Sequence, residues 1–299
     1  MQVKRIKRPI SGVLLLDKPA GCSSNQALQR VKRLYQAAKA GHTGTLDPFA
    51  TGLLPICFGE ATKFSHTLLD ADKVYRAVLK LGAITTTGDT EGEVTGCKAV
   101  KLSRDEVERA VSAFHGKITQ TPPMHSALKH QGKPLYEYAR AGVEIERKSR
   151  EVTIHSIALH KFEGDEAEIH VACSKGTYIR VLGEDIGKQL GCGAHLAVLE
   201  RLSTGGFQLE DAYSLEQLEA MTESRRDQAL LPVDVLLAGL PAVEVDDESA
   251  FYFRRGQALW KSGIATSGLI RIYASHGVFI GVAESLGDGR IAPRRVVLT

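Results

Sequence analysis

Apolar positions recur along the chain with two different periods. At residues 12–21, GVLLLDKPAG, adjacent apolar side chains run into a Pro/Gly turn, which predicts a buried strand. Residues 23–41, SSNQALQRVKRLYQAAKAG, switch to helical spacing. Leu28, Val31, Leu34 and Tyr35 form the stripe, Ser23 or Ser24 caps the start and Gly41 ends it. Arg30, Lys32, Arg33 and Lys39 fall off that stripe, on a solvated face. Residues 73–82 alternate, with Tyr75, Ala77, Leu79 and Leu81 on one strand face and Val74, Arg76, Val78 and Lys80 on the other. The turn-rich stretch TTTGDTEGE follows; its Asp89, Glu91 and Glu93 lack the spacing of a calcium loop. In SRDEVERAVSAFHG, Ser103 and Glu106 make a capping box.

Residues 117–150 break this regularity. Pro and Gly alternate there with Lys129, Lys133, Arg140, Arg147, Lys148 and Arg150, and with Tyr136 and Tyr138, which reads as a basic insertion with interleaved aromatics. Residues 151–191 return to two strands, a tight SKGT turn and a helix striped by Ile179, Leu182, Ile186 and Leu190, with Arg180 in its first turn off the stripe. Two prolines and an acidic cluster at residues 231–248 mark a domain boundary, placed at 244/245. The short strands beyond it, separated by Gly turns, predict a small β-barrel or sandwich.

Composition narrows the class. A length of 299 residues suits one large domain, or a large one with a small one, and 43% hydrophobic residues suffice for a core. A net charge of +3 permits a nucleic-acid partner only if the basic residues cluster. Five cysteines without a C-x-x-C pair argue against a zinc site or a disulfide framework and fit a reducing cytoplasm. The basic start MQVKRIKRPI leads into an apolar stretch that Asp17 breaks, too short for a signal or a membrane span.

The candidate chemistry sits in GHTGTLDPFATGLLP, residues 41–55. Asp47 is its one acid. Pro48 disfavours a helical conformation at Asp47, and Gly44 and Gly52 let the backbone turn or approach a ligand. The loop alone also fits an Asx-turn that starts a helix. Two further residues make a catalytic carboxylate plausible. Arg180 stands at a turn-to-helix junction, where a carboxylate or phosphate would order it, unless it pairs with Glu184 on the helix surface. Tyr75 brings a hydroxyl to an otherwise apolar face, where a core tyrosine would also fit.

Six segments in order resemble one family, the B-type tRNA pseudouridine synthases, which make pseudouridine in the tRNA T-arm. They are LLLDKPAGCSSNQAL, GHTGTLDPFATGLLPICFGEATK, YRAVLKLGAITTTGDTEG, QTPPMHSALKHQGKPLYEYAR, CSKGTYIRVLGEDIG and AHLAVLERLSTGGF. The resemblance implies an α+β fold: a pseudouridine synthase core with a mixed, largely antiparallel sheet flanked by helices, and a small C-terminal PUA-like β-barrel. It divides the chain into a catalytic domain at 1–244, carrying the basic RNA-binding insertion 117–150, and an RNA-binding domain at 245–299.

It also assigns roles. Asp47 falls at the nucleophilic aspartate, Arg180 at its arginine partner, and Tyr75 at the tyrosine that packs on the flipped uracil and accepts a proton. Tyr178 and Leu199 line the uridine pocket, and His42 helps displace the base. Lys18 and Pro19 support the catalytic loop, with Lys18, Lys129, Lys133 and Arg140 as candidate RNA contacts. Glu200 departs from the second basic residue many relatives carry there. The implied reaction needs no metal and no cofactor. The implied partner is tRNA, with no membrane and no obligatory protein partner, and the implied state is a cytoplasmic monomer. A pure RNA-binding or RNA-folding protein, a guide-dependent synthase subunit and a nucleoside hydrolase are the competing readings.

Overall fold

The computed structural model describes residues 7–261, 267–286 and 288–298; the basic stretch at 1–6 lies outside the described residues. Its centre is a ten-stranded sheet. In spatial order the main path runs Tyr213–Ser214, Gly12–Lys18, Thr51–Phe58, Ala194–Thr204, Lys73–Leu81, Glu166–Cys173, Arg150–Glu163 and Gly116–Gln120. The pairings of Gly12–Lys18 with Tyr213–Ser214 and of Ala194–Thr204 with Thr51–Phe58 are parallel. The other pairings are antiparallel, so the expected mixed, largely antiparallel sheet is present.

The apolar run at 13–16 has a simple cause. Leu14 and Leu16 face the main core with Leu54, Ile56 and the helix residues Ala27, Leu28 and Val31. Val13 and Leu15 face the opposite side, where they pack with Leu53, Cys57, Phe64, Leu236, Leu237, Val282 and Val297. Both faces of this strand are dry, so alternation disappears. The second cluster carries side chains from both ends of the chain and seats the C-terminal sheet against the core.

The helix Ser24–Leu34 is capped by Ser23 in a box with Gln26. It stops well before Gly41. Gln36 takes a left-handed turn (φ 51°), and Ala40–His42 joins the sheet beside Thr51–Phe58. Ser24, the other expected cap, is buried and bonds both the N–H (2.8 Å) and the carbonyl (2.9 Å) of Leu46. The Ser103–Glu106 box forms as expected on Arg104–Ser112. The expected insertion is shorter than 117–150. Gly116–Gln120 is the edge strand of the main sheet and pairs with its neighbour Arg150–Glu163. Only the segment between them leaves the core, as a small hairpin (Lys129–His130 with Lys133–Pro134) and the helix Leu135–Arg140.

The C-terminal sheet has five strands in the order Ala242–Glu244, Gly268–Ala274, Val278–Ser285, Arg290–Val296 and Leu259–Trp260. Ala242–Glu244 pairs with Gly268–Ala274, so this sheet begins before residue 245, the expected start of the second domain. No helix among the described residues is long and apolar enough to cross a membrane.

One backbone contact fixes how the Asp47 loop leaves the sheet. Gly52 has φ 97°, and a Cβ there would stand 2.4 Å from the carbonyl oxygen of Arg201 on the neighbouring strand. Gly52→Ala therefore combines left-handed strain with a backbone clash, and each such strain costs about 1–3 kcal/mol. The expected outcome in urea unfolding is a loss of at least that size; a change under about 0.5 kcal/mol would contradict this account.

Candidate active site

The loop between Ala40–His42 and Thr51–Phe58 is held from below by cations and a hydroxyl that bond to backbone. Lys18 ends the first strand, is 0% exposed, and donates to the carbonyls of Pro19 (2.8 Å), Cys22 (2.8 Å) and Pro48 (3.3 Å). Burial pulls its pKa below the usual lysine value. Lys18 thus ties the Pro19–Cys22 turn to the residue after Asp47. It cannot touch RNA, which corrects its expected role as an RNA contact. Gly21 adds an N–H bond to the Pro48 carbonyl (2.9 Å), and Ser24 holds Leu46 on the other side.

Asp47 projects from this loop with its carboxylate 30% exposed. Arg180 meets it. Nε lies 3.0 Å from Oδ2 without hydrogen-bond alignment, and Nη2 reaches Oδ1 at 3.4 Å. The guanidinium is 3% exposed and has further partners: Nη1 donates to the Thr87 carbonyl (2.9 Å), Nη2 to the His125 carbonyl (2.6 Å), and Asp89 Oδ2 stands 3.4 Å from Nη1. The surface pair with Glu184 does not form. An exposed helical pair contributes only about 0.3–0.5 kcal/mol, whereas a buried guanidinium without an anion costs several.

Asp89, passed over as a turn acid, is a central residue of the site. It is 2% exposed, and its Oδ1 accepts from Thr87 Oγ1 (2.5 Å) and the Glu91 N–H (3.0 Å). Burial raises the Asp47 pKa above that of a free aspartate, the Arg180 charge pulls it back, and Asp89 pushes it up again.

A cavity of about 360 Å³ opens over the Asp47 carboxylate. Asp47, Tyr75, Tyr178, Arg180 and Leu199 all line it, together with Arg201. Tyr75 comes from the central strand Lys73–Leu81 and Leu199 from its neighbour Ala194–Thr204. Burial pushes the Tyr75 hydroxyl pKa up, with Arg201 opposing. Tyr178 precedes the Arg180 helix. Gln120 grips its backbone by accepting from the N–H (3.0 Å) and donating to the C=O (3.1 Å), and Arg150 stacks on its ring at 5.0 Å.

His42 stands outside the lining, on the strand leading into the loop, with Nδ1 buried and unpartnered. Burial and the Arg201 charge lower its pKa, so it is neutral at pH 7. Lys129, Lys133 and Arg140 are exposed on the excursion, apart from the cavity. The excursion itself reaches the cavity through Ser126, Ala127 and Leu128. Among the described residues no group of three or more His, Cys, Asp or Glu side chains is arranged to hold a metal ion.

Comparison with known proteins covers the whole arrangement. Residues 32–179 match the N-terminal domain of the TruB family of pseudouridylate synthases. Residues 180–238 match a tRNA pseudouridylate synthase B C-terminal domain, and 241–297 match a pseudouridine synthase II TruB C-terminal domain. The chain is 60% identical to a tRNA pseudouridine synthase B of Methylobacillus flagellatus, over 99% of this chain and 98% of that protein. It is 53% identical to one of Thiobacillus denitrificans, over 99% of both. Among solved structures, a Cbf5-Nop10-Gar1 complex superposes with a TM-score of 0.71 at 25% identity, covering 95% of this chain and 84% of that one.

The charge arrangement separates two substitutions. Asp47 has a folded pKa above its unfolded value, so its ionised form is disfavoured by folding once the pH rises through that folded value. Asp47→Asn should leave the Tm at or above wild type at pH 7, the gap closing as the pH falls and the wild-type carboxyl takes up its proton. Asp89→Asn leaves Arg180 short of a buried anion and should cost about 1–3 kcal/mol. Thermal unfolding across pH checks both; the opposite order of Tm values would refute the assignment.

Proposed function

The chain belongs to the TruB family of pseudouridylate synthases, and on that premise we propose which of its residues carry the reaction. The protein is an isomerase that converts uridine to pseudouridine in tRNA. Our reading is that the target uridine lies in the T-arm loop and that Asp47 is the carboxylate that opens its glycosidic bond. The observation that carries this reading is the Asp47–Arg180–Asp89 network at the floor of a cavity walled by Tyr75.

The chemistry follows from the groups present. The N1–C1′ bond breaks, the base turns, a C5–C1′ bond forms, the C5 hydrogen leaves and N1 gains a proton. Asp47 attacks C1′ or C6, or removes a ribose proton. In each case it must be ionised, and Arg180 favours that form in a site where burial opposes it. A uridine in a folded loop must first be extruded, at a cost of a few kcal/mol. Stacking on Tyr75 and contact with Leu199 and Tyr178 offset that cost, and His42, on the strand leading into the loop, is our candidate for displacing the base.

The excursion between Gly116–Gln120 and Arg150–Glu163 supports action without a guide RNA or protein partner. It closes over the cavity through Ala127 and Leu128 and bonds Arg180 through His125. Lys129, Lys133 and Arg140 on its outer surface are our candidates for phosphate contact. The five-stranded C-terminal unit is our candidate for a second RNA-binding surface. We place the protein in the cytoplasm, acting as a monomer.

Tritium release from C5-labelled tRNA transcripts tests this directly. Purified wild type should release about one label per tRNA molecule with no added partner, and Asp47→Ala none. Activity should fall on the acid side through a pKa above the 3.8 of a free aspartate. Absence of release on bare tRNA would favour a guided subunit, and full release by Asp47→Ala would remove Asp47 from the chemistry.

A further inference from the structure

Arg201 is the largest fully buried side chain of the protein's described part, at 1% exposure, and it lines the cavity. It sits on Ala194–Thr204, the strand between the exit of the Asp47 loop and the Tyr75 strand. Its register partners are Gly52 on one side and Tyr75 on the other. Nε donates to the Leu53 carbonyl (2.7 Å) and Nη2 to the Gly44 carbonyl (3.1 Å), so one guanidinium grips both ends of the Asp47 loop. Nη1 lies beneath Gly44, 3.2 Å from where a Cβ would start.

The unusual feature is its charge. Arg180 is neutralised by Asp47 and Asp89. Lys73, the other cation near Tyr75, is committed to the carbonyls of Leu68 (3.2 Å), Leu69 (3.0 Å) and Ala71. Among the described residues Arg201 forms no ion pair with a carboxylate. A buried cation without an anion is costly, and one that also lines a cavity stands where an anion forming in that cavity would meet it. The groups facing Tyr75 are Arg201, Lys73, the Cys173 thiol and Asp47. Of the groups gathered here, Tyr75 is the one that must become an anion if its hydroxyl is to take the C5 proton.

We propose that Arg201 is a positioning residue for pseudouridine formation, which locks the Asp47 loop to the sheet and holds a fixed positive charge against the Tyr75 hydroxyl, stabilising it as the oxyanion that takes the C5 proton. The inference rests on Tyr75 being the proton acceptor. In the step, Tyr75 first gives its proton to solvent water. Once C5 is bonded to C1′, the C5–H proton passes to the tyrosine oxygen, and the C5–H electron pair restores the ring double bond. N1 then takes a proton from solvent. Opposed charge at the residue facing Tyr75 lowers the cost of the phenolate, as burial alone raises it.

Single-turnover tritium release with saturating enzyme is the test. Arg201→Gln should slow release roughly 10²-fold, the scale for removing one charge from a developing oxyanion, with tRNA affinity unchanged within about threefold. Site-specific replacement of Tyr75 by a fluorinated tyrosine, whose hydroxyl is more acidic, should restore at least about a tenth of the wild-type rate to R201Q. A loop-holding role alone would not respond to phenol acidity, so absence of this rescue overturns the proposal. If circular dichroism finds R201Q unfolded, R201K, which keeps the charge and loses the fork, replaces it: release within about tenfold of wild type is expected, and a loss of about 10²-fold in folded R201K would overturn the assigned role of the charge. Tyr75→Phe separates the premise: wild-type release by Y75F would remove Tyr75 as proton acceptor, and with it the role assigned to Arg201, whatever the rescue gives.

Discussion

Everything in the site depends on keeping charge in a place that water barely reaches. Arg180 could not be buried by itself, and neither could Asp89. Their pairing gives Asp47 a partner that is already oriented, because the guanidinium is fixed by two carbonyls and a second acid before any substrate arrives. Sharing has a further effect. One arginine is divided between two carboxylates, so Asp47 keeps an edge toward the cavity instead of being closed in a pair. The hairpin between Ala83–Thr85 and Val94–Cys97, the helix from Ile179 and the excursion through His125 all converge on this one group.

Much of this is legible in the amino-acid sequence. Alternation at 73–82 gave the Tyr75 face, the capping residues gave the starts of two helices, and the six segments pointed to the family. What escaped detection has a common physical origin. Asp89 lies in a stretch of Thr, Gly and acidic residues that composition assigns to solvent, and only tertiary contact with Arg180 buries it. Lys18 looked like a surface cation because its partners are carbonyl groups, which leave no trace in side-chain pattern. Arg201 follows Glu200 in a strand, where period two sends neighbours to opposite faces. Glu200 turned outward to Arg76 while Arg201 turned in. The helix at 24–34 ended early because Gln36 takes a left-handed turn that no glycine announced.

The sheet explains why such distant residues meet. Asp47, Tyr75, Arg180 and Arg201 lie far apart in sequence, yet three neighbouring strands and one helix start bring them around a single cavity. Of these strands Thr51–Phe58 buries its opposite face, through Leu53 and Cys57, against Leu236, Leu237 and, from the C-terminal sheet, Val282. The strand into which the Asp47 loop runs is therefore packed from behind, and small shifts of the loop are resisted there by a core and not by other loops.

The acceptors that hold the Asp47 loop are nearly all main-chain carbonyls: those of Pro19, Cys22 and Pro48 for Lys18, of Gly44 and Leu53 for Arg201, and of Leu46 for Ser24. An acceptor of that kind survives any exchange of the side chain it belongs to, provided the backbone keeps its path. Mutational drift is thus unequal on the two sides of each bond. Lys18, Ser24 and Arg201 are constrained in identity, whereas Cys22 and Leu46 are constrained only in conformation and size.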